Sequence, residues 1–243
     1  MEWNIGKLDL DAYLTRTGYD GPRAATVETL RALHRAHVTA IPFENIDVVL
    51  GRGVSLDVDA LQDKLVTRGR GGYCHEHNLL FAAALERLGF TVTRHLARVR
   101  LGRTHLPRTH AALTVTIDGR PWLADVGFGG DGLLEPIPFE DGATLGPWRL
   151  ARDGAFWVLH AGDTELYALT ATEPDLPSDF EVANYYVATN PHSPFIHHLL
   201  AQRTTPDERI RVERFPIEDL AVTLRERIGI PVTDEEVALL IAR

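Results

Sequence analysis

The one cysteine of the chain, Cys74, follows the glycine pair Gly71-Gly72 and opens a segment of helical periodicity. A thiol in the first turn of a helix meets unpaired backbone N–H groups and the positive end of the helix dipole, and both favour the thiolate. Such positions lower the ordinary thiol pKa of ~8.5 by roughly one to five units and yield a nucleophile at neutral pH. A lone cysteine serves equally well as a small buried hydrophobe, so its partners decide. A cysteine nucleophile needs a base and a group that orients the base. His110 stands 36 residues further on, at the start of a strand, and Asp125 follows 15 residues later at the end of another. The two strands form one hairpin through Asp118-Gly119, so both residues fall near its open end, where a carboxylate can orient an imidazole.

Other candidate groups carry less. His75-Glu76-His77 places neighbouring residues on different faces of a helix and lacks the HExxH spacing, so no metal site is expected. His197 and His198 fall on an expected strand as surface or core residues. Gly127-Phe128-Gly129-Gly130 is a glycine-rich loop directly after Asp125, a weak signal for phosphate because turns use glycine more often. Arg94, Arg98, Arg100, Arg103 and Arg108 are interleaved with strand residues and read as a solvated strand face.

The elements that must hold these residues change character along the chain. Val27, Leu30, Leu33, Ala36 and Val38 recur near helical spacing, and a second helix is expected from Asp57, as N-cap, to about Thr67. Between them Pro42 breaks the chain at Ile41-Pro42-Phe43-Glu44-Asn45. The helix from about Tyr73 presents Leu80, Phe81, Ala84, Leu85 and Leu88 and ends at Gly89. The period then shifts to that of strands: Phe90–Leu101, His110–Ile117, Arg120–Asp125, Trp148–Ala151 and Ala155–His160, so residues 90 to 170 are expected as an antiparallel sheet or barrel. A helix from Asp179 to about Ala188, strands at Phe195–Gln202 and Ile210–Val212, and two closing helices follow, the last with a Thr233/Glu236 capping box. Helices, then strands, then mixed elements make the fold class α+β. Cysteine, histidine and aspartate in that order, on a helix followed by a sheet, is the layout of papain-like and transglutaminase-like folds.

The segment Arg70-Gly71-Gly72-Tyr73-Cys74-His75-Glu76-His77-Asn78 resembles, position for position, the RGGxCxExN signature of arylamine N-acetyltransferases. Ile41–Asn45, the stretch from Thr109-His110-Ala111, and Ala124-Asp125-Val126-Gly127-Phe128-Gly129 agree with the same family. The resemblance implies a Cys74-His110-Asp125 triad in a cysteine-proteinase-like core. It implies a helical bundle over 1–88 carrying the nucleophile, a β-barrel over 89–190 carrying histidine and aspartate, and an α/β lid over 191–243. It implies a ping-pong cycle in which acetyl-CoA acetylates Cys74 and an arylamine or arylhydrazine takes the acetyl group. Phe43, Phe128, Phe195 and Thr109 would line the acceptor pocket, and Val126, Gly127 and Gly129 would lie where the acyl-CoA approaches. Glu76, Asn78 and a buried Arg70 would support the site. The stretch Arg203–Arg227 is shorter than the family's lid, which bears on the donor. Amide synthases that share the triad but take their acyl group from a carrier protein are the alternative.

Composition sets the outer bounds. The chain has 243 residues, 44% hydrophobic and 24% charged, which suits a globular core and excludes disorder and collagen-like or disulfide-framework classes. A net charge of −9 without a basic cluster argues against nucleic-acid or anionic-membrane partners. No apolar run approaches the ~20 residues of a membrane span, the N-terminus does not read as a secretory signal, and one cysteine allows no internal disulfide. The expected protein is cytoplasmic, a monomer or homodimer, with acetyl-CoA as co-substrate and no tightly bound cofactor.

Overall fold

The first two α-helices begin where a side chain satisfies an orphan amide of the first turn. In the computed structural model, which describes residues 2–212 and 219–243, α1 (Leu10–Thr17) is capped by Asp9, whose carboxylate accepts from the Ala12 amide at 3.0 Å. Thr26 does the same for α2 (Val27–Ala40) through the Thr29 amide. A short strand, β1 (Phe43–Glu44), then precedes α3 (Ile46–Val49). Next comes α4 (Val58–Leu61), which runs on as a π-helical turn over Gln62–Thr67. Asp57 occupies the N-cap position of α4 but does not cap it, because its carboxylate faces the Ser55 hydroxyl instead. The fifth helix, α5 (Cys74–Arg87), is buried from Cys74 through Leu85 and forms the axis of the N-terminal half. Tyr13, Leu30 and Leu33 join Leu80 and Phe81 of α5 in one buried cluster, where each leucine or phenylalanine side chain removed from water is worth ~1.5–3 kcal/mol.

Eight strands follow: β2 (Thr91–Val99), β3 (Arg108–Ile117), β4 (Arg120–Ala124), β5 (Ile137–Pro138), β6 (Thr144–Leu145), β7 (Trp148–Asp153), β8 (Phe156–Ala161) and β9 (Thr164–Leu169). They form one antiparallel sheet in the order β5-β4-β3-β2-β9-β8-β7-β6, whose end strands approach to make a nearly closed barrel. Asp118 and Gly119 both adopt positive φ, 49° and 75°, as a tight β3–β4 hairpin requires. Ala111, Leu113, Val115 and Ile117 of β3 face the helices, while Ala112 joins Leu150, Leu159 and Tyr167 inside the barrel. The β2–β3 wall is therefore buried on both faces.

The chain leaves the barrel through α6 (Pro177–Thr189), whose Phe180 and Ala183 return to the α5 core. Then come β10 (Ala201–Thr204) and β11 (Arg209–Val212), which pair with β1 in the order β1-β10-β11. The final elements are α7 (Leu220–Val222), a π-helical turn over Thr223–Ile228, and α8 (Asp234–Ile241) with the Thr233/Glu236 capping box. The strand expected over Phe195–Gln202 is broken. Pro194–Ile196 is a 3-10 turn, and the Asn45 amide binds the carbonyls of Phe195 and His198, which are thereby lost to a ladder. His197 and His198 accordingly lie outside any strand. Arg94 is not solvated: it is 4% exposed, pairs with Glu86 and lies over the Trp3 ring. Of the stretch Arg203–Arg227, residues 213–218 lie outside the described residues.

Candidate active site

The chain packs so tightly before Cys74 that only glycine fits. A Cβ on Gly71 would fall 2.0 Å from the Pro42 carbonyl oxygen, because β1 bridges this segment and the Glu44 amide donates to the Gly72 carbonyl at 2.7 Å. Arg70 is buried against Glu44, donating from Nε and Nη2 at 3.1 and 2.9 Å, and reaches Glu236 of α8 at 3.3 Å through Nη1. Glu236 also binds Arg52. Lys64 donates to Glu76 at 2.8 Å and lies 2.8 Å from Asp47. Burial opposes its charge, but the surrounding carboxylates Glu76, Glu44 and Asp47 outweigh that and raise its pKa. Glu76 in turn accepts from the Tyr73 amide at 3.0 Å. Buried ion pairs thus fix the backbone on both sides of the cysteine.

Cys74 lies at the first position of α5, 6% exposed, with Sγ 3.8 Å from the Thr109 carbonyl oxygen. The β2–β3 register steps from Ala97↔His110 to Arg98↔Arg108, leaving Thr109 as a bulge. The bulge turns His110 inward. Its Nε2 lies 2.7 Å from Asp125 Oδ2, and Cys74 is within hydrogen-bonding reach of the same ring. Burial alone would discharge His110, but the Asp125 carboxylate and Cys74 overcome it and raise the imidazole to about 10. Asp125 is likewise buried, which opposes its charge. The His110 ring, the Asn78 amide and the Gly127 N–H nonetheless hold its pKa below the ordinary carboxylate value. The three residues named from spacing therefore meet in one connected row.

Asn78, one turn after Cys74, ties the parts together. Its Nδ2 donates to Asp125 Oδ1 at 2.9 Å and to the Ala111 carbonyl at 2.8 Å, while its Oδ1 accepts from the Val126 amide at 3.1 Å. Gly127 donates its amide to Asp125 Oδ1 at 2.9 Å and lies directly against Cys74, where a Cβ would fall 2.9 Å from the cysteine Cα. The Tyr167 ring lies tilted against His110 at 4.7 Å, with its hydroxyl near Asp125 but outside hydrogen-bond geometry.

Cys74, Thr109, His110, Phe43, Phe128 and Phe195 line one cavity of about 320 Å³. The Phe128 ring stands edge-on to His110 at 5.1 Å. Phe43 is held by stacking on His77, and Phe195 by the clamp that Asn45 closes on its carbonyl. Val126, Gly127 and Gly129 do not line this cavity; they form the loop behind it, with Gly129 against the Phe43 ring. Among the described residues no three metal-ligating side chains come together, and no helix is long and apolar enough to cross a membrane.

The sequence reading missed His34 and His37. Both are buried on α2. His37 Nε2 faces His77 Nδ1 at 2.9 Å, and the Tyr13 hydroxyl faces His37 Nδ1 at 2.8 Å. His34 accepts the Asp125 amide at 3.2 Å. Leu30, Leu33, His34 and His37 fall at i, i+3, i+4 and i+7, so the helical stripe would have shown them had histidine been counted.

The sequence profile of the N-acetyltransferase family matches residues 26–217. The arylamine N-acetyltransferase of Mycolicibacterium smegmatis is 44% identical over 218 residues, spanning 83% of this chain and 78% of its own, and that of Escherichia coli is 40% identical over 208, spanning 82% and 74%. The chain belongs to the arylamine N-acetyltransferase family. Solved members agree across the whole fold. The Nocardia farcinica arylamine N-acetyltransferase superposes with a TM-score of 0.88 at 42% identity, covering 100% of this chain and 98% of its own. The Mycobacterium marinum enzyme in complex with CoA superposes with a TM-score of 0.85 at 34% identity, covering 96% and 94%.

Proposed function

We propose that this arylamine N-acetyltransferase family member moves an acetyl group from acetyl-CoA to an arylamine or arylhydrazine, with Cys74 as carrier. The observation that supports this reading best is the Cys74-His110-Asp125 row opening into an aromatic-walled cavity. Cys74 reacts as the thiolate partner of the His110 imidazolium. It attacks the thioester carbonyl; the C–S bond to CoA breaks, and His110 gives its proton to the departing thiolate. The amides of the first turn of α5, that of Cys74 included, serve the oxyanion. The neutral amine then attacks acetyl-Cys74 and passes its proton to His110, and release of the amide restores the ion pair. Phe43, Phe128 and Phe195 suit a flat aromatic acceptor and keep water from the acyl-enzyme. CoA in the M. marinum complex supports acetyl-CoA as a co-substrate, and we place its approach along the loop of Val126, Gly127 and Gly129, which adjoins Cys74 behind the aromatic cavity. No resident cofactor is needed. A reactive lone thiol also suits the reducing cytoplasm.

Intact-protein mass spectrometry after brief mixing with acetyl-CoA tests the reading. The expected result is a gain of one acetyl group on the wild type, none on Cys74→Ala, and its discharge by an aniline or a hydrazine. A wild-type chain that stays unmodified while iodoacetamide still alkylates Cys74 overturns acetyl-CoA as donor. Longer acyl-CoAs and carrier-bound thioesters, the donors of an amide synthase, are then the next to try.

A further inference from the structure

The loop from Asp125 to Leu134 carries Asp125 at one end and Phe128 over the cavity, yet it is rich in glycine and needs an external hold. Helix α2 supplies one. His34 is fully buried and stands edge-on to Phe81 at 5.7 Å. One ring nitrogen, Nε2, lies 3.2 Å from the Asp125 amide nitrogen; the other, Nδ1, lies 3.1 Å from the Leu134 carbonyl oxygen. A backbone amide only donates and a carbonyl only accepts, so a single protonation state satisfies both: the neutral ring with hydrogen on Nδ1. Arg31, one turn before His34, and Arg35, the residue after it, pair with Glu135, so α2 also grips the next residue of the chain from outside.

We propose that His34 is a positioning residue for the acetyl transfer: its neutral Nδ1–H ring staples the two ends of the 125–134 loop, setting Asp125 under His110 and Phe128 over the cavity. The staple acts through Asp125 and touches no substrate. Its buried surroundings keep the ring uncharged, lowering its pKa to about 4 by desolvation against the weaker pull of Asp125 and Glu135. The inference rests on the triad reading given above.

The oxygen and nitrogen of a glutamine amide are spaced much as the two imidazole nitrogens are, so His34→Gln keeps one acceptor and one donor. His34→Phe keeps the packing and loses both. The expected result is an about 10- to 100-fold slower acetylation of Cys74 in His34→Phe, because a misplacement of about 1 Å in catalytic geometry costs up to the order of 10²-fold, and recovery to within about fivefold in His34→Gln at comparable Tm. Packing alone does not produce that rescue. Nitrogen-15 NMR of the wild type reads the staple directly, the His34 signal being assigned as the one absent from His34→Gln or from any other folded replacement. A neutral Nδ1–H ring at pH 7 is expected; an Nε2–H ring or an imidazolium overturns the proposal. A folded His34→Phe within threefold of the wild type overturns it as well. Asp125→Asn run alongside separates the two failures. If it is inactive while His34→Phe is normal, only the staple falls; if it keeps wild-type turnover, the triad reading falls and the staple with it.

Discussion

Asp125→Asn is the substitution whose outcome the geometry specifies most fully. Oδ1 of Asp125 accepts two donors, the Asn78 amide and the Gly127 N–H, both at 2.9 Å, while Oδ2 accepts only from His110 at 2.7 Å. Asparagine has one oxygen, and the two fixed donors claim it. Its NH2 group is therefore turned toward His110 Nε2, which must become an acceptor. The ring hydrogen then sits on Nδ1, the nitrogen left for Cys74, and the imidazole can no longer take a proton from that side. The variant keeps its three hydrogen bonds, so it should fold. It loses both the general base, worth roughly 10²–10⁴, and the charge that stabilises the imidazolium. An inverted tautomer of this kind costs on the order of 10⁴ in rate where an aspartate orients a catalytic histidine, so a loss of 10³–10⁴ in kcat is expected, or about 4–5.5 kcal/mol of barrier. Release of CoA thiol measured in the presence of an arylamine gives kcat. Iodoacetamide alkylation of Cys74 reads the coupling to His110 separately, and the variant should be alkylated more slowly than the wild type. Turnover within tenfold of the wild type would refute the tautomer argument.

Acid should destabilise the protein before most carboxylates titrate, although Glu76, raised to about 7 by burial, takes up its proton early and offsets part of the loss. His34, His75, His77 and His95 are depressed by burial to about 4, 3, 4 and 4 from 6.5, so the unfolded chain binds protons that the folded one refuses. Their stability is complete above pH 6.5 and falls as pH drops towards 4, by about 1 kcal/mol per histidine at pH 5.5. His110, raised to about 10, works in the opposite sense, since its contribution is present below 6.5 and is lost as pH rises through 10. Urea midpoints at pH 7 and 5.5 should show the net loss; equal midpoints would contradict it. Arg70→Ala leaves Glu44, which is 0% exposed, without its ion-pair partner, while Glu236 keeps Arg52, and should cost ~3–5 kcal/mol in chemical denaturation. Arg70→Lys should not restore it, because the two-pronged contact with Glu44 needs a guanidinium. Gly127→Ala pushes a methyl to 2.8 Å from Asn78 Nδ2 and 2.9 Å from Cys74 Cα, so Tm and kcat should fall together, with ~1–3 kcal/mol lost to overpacking.

The Cys74-His110-Asp125 row was legible because local rules specify it. Gly71-Gly72 ahead of an apolar stripe marks the start of α5, and one tight turn at Asp118-Gly119 brings the two ends of a hairpin together. The Thr109 bulge that aims His110 was not legible, since no residue type there demands it. Nor was the broken strand at Phe195. Its cause is Asn45, 150 residues away in sequence, which captures the Phe195 carbonyl. Arg70 and Glu236 lie 166 residues apart, and nothing in either neighbourhood names the other. Pairings of this kind are decided by which elements collapse together, after local propensity has done its part.

Hydrophobic patterning also hides the groups that hold the site, because it counts them as mistakes. Four consecutive polar residues of α5, His75, Glu76, His77 and Asn78, are no more than 2% exposed. A buried ion pair or imidazole rarely stabilises a fold more than a well-packed apolar side chain of its size. Stability therefore does not account for them, and for three of the four their contacts do. Glu76 holds the Tyr73 amide ahead of the nucleophile, His77 carries the Phe43 ring, and Asn78 carries Asp125 and Val126. With His34 on its amide, every polar atom of Asp125 that faces the site is already bonded before any substrate arrives. A carboxylate with no freedom left has little to reorganise when charge moves between Cys74 and His110, which is the condition under which a buried dipole or charge lowers a barrier most. The polar interior of α5 is thus spent on geometry.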